Sequence, residues 1–161
     1  MESRAKILGH PIHQMLVPFP FGVLAMSVIF DIIALVLDHH VPLFTAAFYM
    51  IAAGVISGLL AAIFGLIDFL GIPANTRAKR VGTLHGVGNV IVVVLFAASW
   101  FLRRDHPGDP GSVAIALSLV AFGLAAVTGW LGGELVDRLS VGVDDGAHVD
   151  APSSLSGRIV R

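Results

Sequence analysis

Four long apolar segments, at about residues 12–37, 43–70, 83–102 and 113–136, leave this chain few ways to fold. Each is close to the roughly 20 residues a helix needs to cross a bilayer. Of the whole chain 56% is hydrophobic and 13% charged, with a mean hydropathy of +0.88. Soluble domains carry about 25% charged residues, and 161 residues cannot enclose so much apolar surface by themselves. The bilayer is therefore part of the solvent, and in lipid the backbone satisfies its own polar groups as helices or closed barrels. The expected fold is all-α: a four-helix transmembrane bundle of up-down topology over residues 1–140, followed by a polar, mobile tail over 141–161.

If all four segments cross, the chain zigzags. The start of the first, the end of the second, the start of the third and the end of the fourth then share one side of the membrane. Those places carry His10 and His13, Asp68, His85 with Asn89, and Glu134 with Asp137. Most of the groups able to bind a metal or carry a proton thus converge on one layer.

Other classes drop out on composition. The net charge is -1 and the isoelectric point about 6.6, which leaves no basic footprint for nucleic acid. There is no cysteine, so disulfides, thiolate metal sites and covalent c-type haem attachment are excluded. No nucleophile elbow, P-loop, GxGxxG loop or HExxH motif occurs, so chemistry beyond membrane electron transfer is not expected. The first apolar run is too long for a signal-peptide core and is read as a retained helix.

Along the chain, Pro11 is expected to open the first helix, with His10 at its N-cap and His13 in its first turn. Pro18 and Pro20 should kink it or delay regular helix until about Phe21. Residues 71–82 read as a basic loop, and His85 and Asn89, four apart, share one helix face. Gly54 with Gly58, and Gly129 with Gly133, have the GxxxG spacing of close helix contacts. AAIFGLID (61–68) echoes AAVTGWLG (125–132), and each follows a helix with a histidine near its start. Two repeated hairpins in parallel orientation would face His13 and His85 across a pseudo-two-fold along the membrane normal.

Positive charge is uneven. Arg4, Lys6, Arg77, Lys79, Arg80, Arg138, Arg158 and Arg161 lie on the terminal side, against Arg103 and Arg104 on the other. The positive-inside rule then places both termini and the polar layer in the cytoplasm, and the chain in a bacterial inner membrane.

Haem b in a bundle needs one or two inward imidazoles from facing helices, which His13 and His85 could supply. Gly82, Gly86 and Gly88 would leave room for the ring, and Arg77, Lys79 and Arg80 could pair with its propionates. Alternatively His10, His13, Asp68, His85 and Glu134 form an N/O site for a metal ion. In the plainer reading the histidines cap helices or bond to Asp68, and Glu134 pairs with Arg138. Asn89 is expected to make an interhelical hydrogen bond. Asp31, on the far side, should tie to Arg103, Arg104 or the His39–His40 turn. Trp100 and Trp130 suit the outer and inner aromatic belts.

The stretches GHPIHQMLVPFPFG (9–22), GLIDF (65–69), RAKRVGTLHGVGNV (77–90) and GGELVDRLSVGV (132–143) together resemble the bacterial membrane family known as domain of unknown function 2231. The resemblance implies four transmembrane helices. It also hints at electron transfer, because some relatives are joined to Rieske-type or other redox domains. Members often carry a further histidine where this chain has Leu139-Ser140. The leading expectation is a small haem-binding redox protein that exchanges electrons with a quinone or a protein partner. The alternatives are an accessory subunit of a larger membrane complex or a homo-oligomer, and metal or proton handling by the His/Asp/Glu cluster.

Overall fold

Four helices long and apolar enough to cross a membrane, Ile12–Val36, Val41–Gly71, Arg77–Arg103 and Ser112–Arg138, make up the body of the computed structural model. It describes residues 1–37 and 40–156. His39, Arg158 and Arg161, which entered the reading above, lie outside the described residues.

The first span is broken. A short α1 (Ile12–Leu16) ends at Val17, and α2 (Pro18–Val36) begins at Pro18. Proline lacks an N–H and suits a helix start, so the regular helix resumes at Pro18 and not near Phe21. Upstream, β1 (Lys6–Ile7) pairs antiparallel with β2 (His10–Pro11). Leu8 and Gly9 turn between them at φ 50° and 87°, the positive φ values of a type I′ hairpin. His10 is therefore a strand residue, and Pro11 is the N-cap of α1 instead of its first helical residue.

Val41–Gly71 forms α3. The next helix, α4 (Arg77–Arg103), starts earlier than its apolar run. Thr76 caps it, its hydroxyl accepting the Lys79 N–H at 3.0 Å. The basic residues of the expected loop, Arg77, Lys79 and Arg80, thus stand at the start of a helix. The last span is α5 (Ser112–Gly133), closed by a π-helical turn at Glu134–Arg138.

The chain forms two antiparallel hairpins, α2 with α3 and α4 with α5. Their interdigitated core holds Leu24, Val28, Ile51, Val92, Phe96 and Ala121. A second cluster buries Ala34, Phe44 and Ile115, and many other Leu, Ile and Phe side chains on the helices face outward, as lipid-bathed helices require. A smaller cluster at the terminal end joins Ile72, Leu135 and Val141. The chain beyond Ser140 first packs Val141 here. It then crosses the N-terminal segment, where Met1 donates its ammonium to the Ser140 carbonyl at 2.8 Å and its carbonyl accepts the Gly142 N–H at 2.9 Å. Trp100 lies in the last turn of α4 before Arg103. It stacks on Phe48 at 5.3 Å, with its indole N–H enclosed and unpartnered among the described residues.

Candidate functional site

The polar residues of the spans sort into two layers. The far layer is fully buried. Asp31 on α2 and Arg103 on α4 are fully buried and meet through two parallel bonds, Nη1 to Oδ1 at 2.7 Å and Nη2 to Oδ2 at 2.6 Å. The guanidinium is completed by Ser99, which accepts from Nε at 3.1 Å, and by Ser118, which accepts from Nη2 at 3.2 Å. Such a fork-to-fork pair is the geometry in which a buried charge pair offsets its desolvation. Of the partners expected for Asp31, the structure selects Arg103.

The near layer holds the histidines. His85 lies about 12 Å along α4 from its first residue, at 1.5 Å per residue. Its Nδ1 is 2.8 Å from the Thr128 carbonyl on α5. His13 makes the same contact one hairpin earlier, with its Nδ1 2.9 Å from the Ala61 carbonyl on α3. A carbonyl can only accept, so each Nδ1 donates to it, and Nε2 is the atom left to bind a ligand when the ring is neutral. Glycines make both approaches possible. A Cβ on Gly65 would stand 2.7 Å from His13 Cε1, and one on Gly132 would stand 3.2 Å from His85 Cε1.

The two rings differ at Nε2. His85 receives the Asn89 amide there at 3.2 Å, Asn89 Oδ1 accepts from the Thr128 hydroxyl at 3.1 Å, and a closed ring of bonds joins α4 to α5. The same Asn89 amide also reaches the His85 carbonyl at 2.9 Å. For His13 the structure gives no corresponding side-chain donor among the described residues. Asn89 thus makes the interhelical bond expected of it, with Thr128.

The other candidates stand outside this layer. Asp68 anchors the N-terminus: it accepts from Ser3 Oγ at 2.7 Å and from the Arg4 N–H at 2.7 Å, with no histidine in contact. Glu134 pairs with Arg77 at 2.6 Å across helices and not with Arg138. His10 is exposed, its Nε2 3.4 Å from Ser154 Oγ. Among the described residues no three His, Cys, Asp or Glu side chains gather to hold a metal ion, so the five-residue N/O cluster does not assemble. The space expected at Gly82 is filled by Phe69 and Ile72, and that at Gly88 by Thr128, whereas Gly86 faces open space. Of the three basic residues, Arg77 is engaged by Glu134 and Lys79 by the Phe69 carbonyl at 2.8 Å. Arg80 lines a shallow groove with Asn75 and Thr83.

Residues that the sequence did not single out complete both layers. Thr128, Ser99 and Ser118 carried one usable signal, a polar side chain within an apolar run. The carbonyl of Ala61 carried none.

Outside the spans, the terminal cap is held by charge. Lys6 pairs with Glu2 at 2.6 Å and with Asp144 at 3.5 Å. The hydrogen bond that Lys6 donates to the Glu2 carboxylate holds its ammonium above the usual range. The Gly146 N–H, donated to Asp144, holds that carboxyl below its own.

Four membrane-spanning helices around a buried ion pair and a two-histidine layer define an integral membrane protein of the helical-bundle class. Its sequence matches the family described as "Predicted membrane protein (DUF2231)" over residues 9–145, and the chain belongs to that family. No curated protein and no solved structure matches it.

Proposed function

We propose that this protein is a small membrane redox carrier that holds haem b between its two hairpins through His13 and His85. The observation that carries the reading is the pair of imidazoles at corresponding places on the two hairpins, each with Nδ1–H bound to a helix carbonyl and Nε2 left as the basic atom. A bare metal ion in a protein site asks for three or four protein ligands. Haem brings four nitrogens of its own and asks only for one or two. Two histidines with no third ligand gathered beside them among the described residues therefore fit haem better than a free ion.

Haem supplies a one-electron couple within the hydrocarbon layer. The chain's own residues orient it: the Ala61 and Thr128 carbonyls fix both ring tautomers and raise ligand basicity, as outer-shell acceptors do. Asn89 can release His85 Nε2 without stranding its amide, because that amide already reaches the His85 carbonyl. The electron partner is a quinone or a redox protein reached from the membrane. Charge asymmetry supports an inner-membrane location with both termini cytoplasmic. Arg103 is fully buried against Asp31 and so leaves the loop count, and among the described residues Arg104 is the arginine that remains exposed on the far side.

The test is a visible spectrum of protein purified in mild detergent from cells with ample haem, oxidised and then reduced. The expected result is a Soret band that shifts on reduction, with sharp α and β bands lost in His13→Ala and His85→Ala while the fold persists. A flat spectrum from well-folded protein overturns the proposal and returns the chain to the accessory-subunit reading.

A further inference from the structure

We infer that the two hairpins are copies of one unit, and that Asp31 and Arg103 are the same position in the two copies, given opposite charges so that the halves meet as unlike partners. The pair is 72 residues apart in sequence. The same shift carries His13 onto His85, Leu24 onto Phe96 and Ser27 onto Ser99, and all but the two histidines are buried. A second constant shift relates α3 to α5. It carries Ala47 onto Ala114, Ile51 onto Ser118, Gly54 onto Ala121 and Ala61 onto Thr128, all of them buried.

The two shifts act together. They convert the bond from His13 to the Ala61 carbonyl into the bond from His85 to the Thr128 carbonyl, and the Gly65 approach into the Gly132 approach. Burial patterns of helices often agree by chance. A shared hydrogen bond across two helices, with a shared glycine beside it, requires the same three-dimensional unit twice. This register differs by three residues from the resemblance between AAIFGLID and AAVTGWLG, which sets Gly65 against Gly129 instead of Gly132.

A pair of identical units arranged about a two-fold places any residue near the axis opposite its own copy. Two like charges would there repel in a medium that screens them poorly. Opposite charges attract, and only the unlike pairing of halves is then stable. By the same two shifts, the positions around Arg103 have counterparts in the first hairpin, although Ser27 Oγ itself bonds the Leu24 carbonyl at 2.7 Å. Ser27 corresponds to Ser99 and Ala47 to Ala114, whereas Ile51 stands in place of Ser118.

Exchange of the charges in the full chain tests this. Asp31→Arg alone and Arg103→Asp alone should each cut the yield of monodisperse folded protein at least tenfold. The exchange Asp31→Arg with Arg103→Asp, combined with Ile51→Ser and Ser118→Ile, should restore the yield to near that of the parent. An ion pair in unrelated surroundings would lose its serine and carbonyl partners on exchange. A fourfold variant no better than the single reversals would therefore overturn the proposal, and so would good folding of either single reversal. Neither result depends on whether haem is bound.

Discussion

Gly65 and Gly132 matter because an imidazole occupies the place of their missing side chain. Gly65→Ala would push a methyl group to 2.7 Å from His13 Cε1 and 2.9 Å from Nδ1. The ring would have to move and give up its bond to Ala61. Overpacking costs about 1–3 kcal/mol, more than the roughly 0.5–1 kcal/mol that alanine gains over glycine in a helix. Gly65→Ala is expected to lower the melting temperature in detergent. Gly123→Ala, where a Cβ meets nothing within 4 Å, should leave it unchanged or raise it. Equal effects at the two positions would show that His13 does not depend on that contact.

At the level of elements, the N-terminal segment is tied to the end of α3 through the carboxyl group of Asp68. Asp68 holds Ser3 and the Arg4 N–H, and hydrogen bonds to a charged group contribute about 1.5–3 kcal/mol each. Asp68→Ala should release the strand pair Lys6–Ile7 and His10–Pro11 while the four spans stay folded. Hydrogen exchange would then rise at residues 4–12 and stay unchanged in α4. Faster exchange throughout would instead make Asp68 a support of the whole bundle. The ion pairs of Lys6 act from outside. Its raised pKa adds stability that is present below its ordinary 10.5 and lost as pH rises through the higher folded value. The lowered pKa of Asp144 adds stability present above its ordinary 3.8 and lost as pH falls through the lower folded one. The cap is therefore best held across the neutral range.

For the whole molecule, the chain's lack of cysteine makes orientation directly measurable. Ser153→Cys on the terminal side and Asp109→Cys on the far side should differ in labelling by a membrane-impermeant maleimide in intact cells. Asp109→Cys should react and Ser153→Cys should stay protected until the cells are opened. The reverse pattern would place the histidine layer at the outer face and remove the cytoplasmic assignment.

The number of spans, their up-down order and the gathering of polar residues at one end were legible in the sequence. They follow from hydropathy and length, which act locally on each segment. So were the tie of Asp31 to the far-side arginines and the bond of Asn89, because a polar group in an apolar run must find a partner. What each polar group partners was decided only by packing. Asp68 turned to Ser3 and Arg4, Glu134 to Arg77, and His10 to Ser154, so a candidate cluster of five became one pair of histidines. The true register between the hairpins was equally hidden. It is set by where a ring can lie over a glycine and reach a backbone carbonyl on the next helix. A carbonyl belongs to every residue alike, so only the tertiary structure reveals which one is used.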